Sequence, residues 1–124
     1  MSTRRVVVTG IGALTPIGNN LNEYWNGLTE GTSGAGPITL FDSTNFKTKF
    51  ACEVKGFNPT DFIDRKQARK LDRFCQFAVT VADQAFNDSG LSVEKIDSDR
   101  AGVIWGSGIG GMSTFYEESV NFGT

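Results

Sequence analysis

The 124 residues carry 12 basic and 14 acidic side chains, a net charge of −2, with 39% hydrophobic and 21% charged residues. That balance describes at most one soluble globular domain, and nucleic acid is not an expected partner. With no histidine and two cysteines, these residues cannot build a Ser–His–Asp or Cys–His catalytic arrangement, and no metal-ligand cluster appears.

The chain begins MSTRRVVVTGIGALTPIG, a basic start followed by apolar residues, as in a signal peptide. Thr9, Thr15, Pro16 and several glycines interrupt that stretch, and no small-residue cleavage site follows. No apolar run approaches the ~20 residues that span a bilayer, so a cytoplasmic protein without a membrane partner is expected. The β-branched run RVVVT at 5–9 reads as a strand buried on both faces.

A turn-rich loop follows through Gly10, Gly12, Thr15, Pro16 and Gly18. Asn20 is placed to cap a helix with Glu23 as its third residue. Leu21, Tyr24, Trp25 and Leu28 form the apolar face of that helix, and Gly31 ends it. Residues 32–37 read as loop, and 41–54 as mixed, with short extended pieces around 47–54. Asn58-Pro59 reads as a cap with proline at the first position of a short helical turn.

The segment 64–90, DRKQARKLDRFCQFAVTVADQAFNDSG, organises the chain. Leu71, Phe74, Cys75, Ala78, Val81, Ala82, Ala85 and Phe86 recur at steps of three and four, the spacing of one buried helical face. Asp64 with Gln67 has the pattern of a capping box, and Gly90 suits the position just past a helix end. One helix of about six turns is expected. Five of the chain's 12 basic residues, Arg65, Lys66, Arg69, Lys70 and Arg73, fall in its first turns. Cations at a helix N-terminus oppose the helix dipole, so folding gives no reason for them there. With Asp64 and Asp72 the segment 64–73 carries +3, while the rest of the chain carries −5. A basic patch on an acidic protein points to an acidic partner, although an ordinary solvated helix face would look the same. Cys75, on the apolar face, and Cys52, in the strand-like KFACEV, both read as small core residues.

Residues 101–105, AGVIW, read as a second buried strand, running into Gly106-Ser107-Gly108-Ile109-Gly110-Gly111 and the helix-like MSTFYEESV. Gly106, Gly108 and Gly111 match G-x-G-x-x-G between a strand and a helix, the context of a dinucleotide site. The acidic residue that should follow ~20 positions on would lie past Thr124. A tight strand-to-helix turn in which only glycine fits explains the same pattern. The element order implies an α/β arrangement with a parallel sheet. Two strands are too few for an independent sheet, so residues 1–124, without an internal boundary, read as the beginning of something longer.

Taken together, RRVVVTGIGALTPIGNN, GLTEGTSG, FDSTNFKTKFACEV, FIDRKQARKLDRFCQFAV, DSGL and GVIWGSGIGG resemble, in this order, the N-terminal part of a β-ketoacyl-[acyl-carrier-protein] synthase. GSGIGG and RKQARK are most similar to the type II enzymes of bacterial fatty-acid elongation. The resemblance implies a thiolase-like fold, two α/β halves in five αβαβα layers, usually as a homodimer. It implies an acyltransferase of fatty-acid biosynthesis that needs no cofactor. An acyl group passes from acyl carrier protein to a cysteine, and malonyl-carrier protein then loses CO2 to give the attacking carbanion. That cysteine and the family's histidines would lie beyond residue 124, so no catalytic residue is assigned here and the chain alone should be inactive. Lys66, Arg69 and Lys70 align with the residues that dock acyl carrier protein, with Arg65 and Arg73 as helpers, and Ile109 aligns with the gate of the acyl pocket. A non-catalytic docking module, either this segment itself or a partner similar to a chain-length factor, is the alternative. A nucleotide-dependent oxidoreductase, with NAD(P) at the glycine loop, is a third reading.

Overall fold

The computed structural model describes residues 3–123, and its longest element is a helix of 16 residues, α3 (Arg73–Asp88). Before it come α1 (Leu21–Thr29), β1 (Gly36–Pro37), β2 (Phe50–Ala51) and α2 (Arg65–Ala68), and after it α4 (Met112–Phe122). Short 3-10 turns occupy Pro59–Asp61, Val93–Lys95 and Ser98–Arg100. β1 and β2 pair antiparallel, Gly36 opposite Ala51 and Pro37 opposite Phe50, and form the sheet of the described residues. The expected loop at 32–37 thus contributes a short strand.

Helix starts follow the expected chemistry. Asn20 Oδ1 accepts from the Glu23 N–H at 3.0 Å, and Asn58 caps the turn that begins at Pro59. The Glu23 carboxylate reaches past its own cap and accepts from the Asn19 N–H at 2.8 Å. Gly31 and Gly90, with φ of +68° and +66°, end α1 and α3 in the left-handed conformation that glycine adopts without steric cost.

The expected single helix over 64–90 is two helices. α2 ends at Ala68, and Asp72 leaves helical geometry with ψ of 155° before α3 starts. The Gln76 side-chain amide donates to the Ala68 carbonyl at 2.9 Å and to the Leu71 carbonyl at 3.2 Å. It thereby pairs the Leu71 carbonyl and adds a second donor to the Ala68 carbonyl, which also accepts from the Leu71 N–H at 3.3 Å.

The expected buried strands are a second correction. Residues 5–9 and 101–105 run without ladder partners, and Val6 and Ile104 are 89% and 100% exposed. An extended segment forms a strand only where a neighbour takes its backbone N–H and C=O groups, and no described strand pairs with either of these two. The expected parallel sheet is accordingly absent among the described residues. Cys52 is also exposed, not a core residue, with half-buried Ala51 and Glu53 on either side of it; Cys75 is half-buried.

The core is small and lies under α2 and the start of α3. Phe57, Ile63 and Ala68 are buried, with Phe57 stacked on Phe62 at 6.0 Å and edge-on to Phe77 at 5.3 Å. α1 packs through buried Gly27 against Ile17, leaving Trp25 and Leu28 of its expected apolar face exposed. The fully buried side chain of α3 is that of Thr80, whose hydroxyl has no hydrogen-bond partner among the described residues.

The loop 10–19 lies along the second half of α3. The Ala13 N–H donates to Gln84 Oε1 at 3.0 Å, the Ile11 N–H to Asp88 Oδ2 at 2.9 Å, and Gln84 Nε2 to the Asn19 carbonyl at 2.9 Å. Gly12 sits so close that an added Cβ would lie 2.3 Å from the Val81 carbonyl oxygen. Backbone cannot yield there as a side chain could. Gly12→Ala is therefore expected to lower stability by about 1–3 kcal/mol, read by denaturant unfolding of the purified protein. A loss under about 0.5 kcal/mol would mean that loop and helix separate easily.

Candidate docking face and acyl-pocket cleft

The basic residues gather on the elbow formed by α2 and the turn before α3. Asp64 Oδ1 accepts from the Lys66 and Gln67 N–H groups at 2.9 and 3.2 Å and so fixes the first turn of α2. Ile63 and Ala68 are buried at 5% and 4% exposure and pin the underside of the elbow. The outer side carries Arg65, Lys66, Arg69 and Lys70, all exposed. Among the described residues no carboxylate forms an ion pair with Lys66, Arg69 or Lys70. Three cations thus stand on a braced backbone with their charge open to solvent.

Arg73 is used differently from the other basic residues. Its guanidinium lies over the rings of Phe57 and Phe77, 4.8 and 5.0 Å from their centroids. It acts as a cover on the aromatic core as well as a surface charge.

Next to the elbow a cleft of about 230 Å³, lined in part by Arg73, opens between the start of α3 and the glycine loop 106–111. Asp72, Phe74 and Phe77 line one wall, and Ile109, Met112 and Thr114 the other. Ile109 is 77% exposed, so it is not a core residue, and it stands beside the cleft on a loop rich in glycine. The loop fits α3 closely. A Cβ on Gly110 would come within 2.7 Å of the Phe74 ring, and Gly111, at φ +69°, lies with its would-be Cβ 3.0 Å from Asp72 Oδ2. These approaches explain glycine at 110 and 111 without any bound dinucleotide. The Asp72 carboxylate accepts a hydrogen bond from the Thr114 hydroxyl of α4. Among the described residues no three His, Cys, Asp or Glu side chains come together as metal ligands, and no helix is long and apolar enough to cross a membrane.

The structure thus places Lys66, Arg69 and Lys70 exposed on the elbow at helical spacing, and it sets Ile109 in the lining of the cleft between α3 and the glycine loop. Sequence reasoning missed Gln76, Asp72, Phe74 and Thr114 as supports. Gln76 had left a signal, a lone amide between Cys75 and Phe77 at the start of an apolar helix face. Replacing it by leucine keeps its bulk but strands the Leu71 carbonyl and leaves the Ala68 carbonyl with the Leu71 N–H alone, with an expected cost of about 1–3 kcal/mol in denaturant unfolding. An unchanged midpoint would mean that the elbow is held by Ile63 and Ala68 alone.

The chain is 49% identical over 118 residues to a 3-oxoacyl-[acyl-carrier-protein] synthase 2 of Synechocystis sp., an alignment covering 95% of this chain and 28% of that protein. It is 48% identical to the enzyme of the same name from Coxiella burnetii, over 90% of this chain and 27% of that one. The chain therefore spans little more than a quarter of the length of these relatives. Among solved structures, the ishigamide ketosynthase/chain length factor superposes with a TM-score of 0.71 at 41% identity, covering 77% of this chain and 24% of that one. A complex of a type II PKS acyl-carrier protein with its ketosynthase superposes with a TM-score of 0.57 at 28% identity, covering 79% and 24%. The described helices and small sheet are thus part of the thiolase-like α/β fold of the ketosynthases. The model of the β-ketoacyl synthase N-terminal domain matches residues 3–122, nearly the whole sequence, and the chain belongs to that family.

Proposed function

We propose that this chain is one undivided N-terminal portion, residues 1–124, of a 3-oxoacyl-[acyl-carrier-protein] synthase of type II fatty-acid elongation. The observation that carries the proposal is the elbow, where Lys66, Arg69 and Lys70 stand exposed and without ion pairs on a braced backbone. Such a surface suits an acidic carrier protein, since free cations steer encounter and fix register at little cost in desolvation. The cleft beside Ile109 suits the acyl chain that such a carrier delivers, and the loop glycines give the isoleucine room to swing aside.

In this reading the full-length enzyme takes an acyl group from its carrier onto a cysteine outside residues 1–124, then condenses it with malonyl-carrier protein after loss of CO2. Neither Cys52 nor Cys75 serves as that nucleophile, and the 124 residues alone dock without catalysing. The whole enzyme acts as a cytoplasmic homodimer and takes acyl and malonyl thioesters as substrates. A titration of the full-length protein with acyl carrier protein tests the docking half directly. Saturable binding that weakens with salt supports it, and no binding at low salt removes it.

A second reading is a docking partner similar to a chain-length factor, and it has support in the likeness to a ketosynthase/chain length factor structure. The two part on acyl transfer. The synthase forms a covalent acyl adduct, and the docking partner forms none.

A further inference from the structure

Asp72 occupies the N-cap position of α3, yet its side chain makes no capping hydrogen bond there. Aspartate at such a position ordinarily accepts from the N–H two or three residues on, a contact worth about 1 kcal/mol. Here the carboxylate is turned outward instead. One oxygen, Oδ1, accepts from the Thr114 hydroxyl in the first turn of α4, and the other, Oδ2, faces the backbone of Gly111. Asp72 and Thr114 are 42 positions apart in the chain, and the segment between their contact and Ile109 is the short left-handed turn at Gly111. On the other side of Asp72, two residues back, is Lys70 at the end of the basic elbow.

We propose that Asp72 is a positioning residue: with Thr114 it latches the glycine loop to the docking elbow and sets where Ile109 stands over the cleft. The inference deepens the reading of Ile109 as an acyl-pocket gate and rests on it for its consequence in catalysis, but the latch itself rests on the contacts just described. A capping role would hold the first turn of α3, and a latch holds the loop across from it. The two roles therefore differ in which amides they protect. Movement of the elbow when a carrier protein binds would reach the loop through this contact as well as through the packing of Gly110 on Phe74.

The test uses the full-length protein with Thr114→Val, which keeps the shape of the side chain and removes the donor, and with Thr114→Ser, which restores it. Thr114 is exposed, so neither change disturbs a core. Asp72→Asn is the second variant, retaining an acceptor but losing the charge. Hydrogen–deuterium exchange is read at residues 106–111 and at residues 73–76. The latch requires exchange at 106–111 to speed up about tenfold in Thr114→Val, with residues 73–76 unchanged and Thr114→Ser close to wild type. Asp72→Asn should fall between them. Unchanged exchange at 106–111 would overturn the latch, as would an equal rise in both segments. Acyl-length preference is then measured on the same variants. A shift in Thr114→Val that Thr114→Ser does not show ties the latch to gating, whereas faster loop exchange with unaltered preference leaves the latch standing and removes the gate reading of Ile109.

Discussion

Replacing Lys66, Arg69 and Lys70 together by glutamate is expected, on the proposed docking role, to weaken binding of acyl carrier protein to the full-length protein on the order of a hundredfold at low salt. Each exposed cation alone contributes little, because solvent screens it and a flexible side chain must be ordered to use it. Reversing three at once removes the attraction and adds repulsion on one face. The loss should fall mainly on the association rate and shrink as salt rises, since screening at 1 M acts within about 3 Å. Stability should change little, because none of the three makes an ion pair among the described residues, and Ile63, Ala68, Asp64 and Gln76 hold the elbow without them. The check is an affinity titration at two salt concentrations beside an unfolding curve. Equal affinity for the triple variant would place docking elsewhere on the surface.

The second large effect is expected at the cleft. Ile109→Phe puts a rigid ring beside a space of about 230 Å³ that already has Phe74 and Phe77 along its wall. Fitting or excluding one methylene in a hydrophobic pocket typically changes rates about 10- to 200-fold. The ratio of kcat/KM for long over short acyl chains should therefore fall at least tenfold, with the shortest substrates nearly unaffected. The glycines on either side of Ile109 allow the ring to be accommodated without unfolding the loop, so thermal stability should be close to wild type. An unchanged chain-length profile would mean that Ile109 is an exposed loop residue with no part in the pocket.

The parts of the fold that could be read from sequence are those that local chemistry determines. Asn20, Asn58 and Asp64 announce helix starts because their short side-chain oxygens reach backbone N–H groups two or three residues on, and Gly31 and Gly90 announce stops because only glycine enters the left-handed region freely. The family motifs were legible for a related reason: GSGIGG and the basic run lie in single stretches. The break at 69–72 was not, since no glycine or proline marks it and the apolar spacing runs straight through. What breaks the helix is Asp72 leaving helical geometry while a glutamine four residues on takes the carbonyls behind it.

The apolar runs at 5–9 and 101–105 misled in the opposite direction. Their composition reports a liking for a sheet interior, but burial belongs to the neighbours a strand finds, and no described strand pairs with either run. The candidate site divides the same way. Lys66, Arg69, Lys70 and Ile109 were visible in sequence. The contact between Asp72 and Thr114 was not, because no local pattern links residues 42 positions apart.

The most direct test of the synthase reading is the mass of the full-length protein after incubation with a fatty acyl-carrier protein, followed by peptide mapping. The expected result is one hydroxylamine-labile acyl group per protomer, on a cysteine outside residues 1–124. No adduct, or an adduct on Cys52 or Cys75, would contradict it.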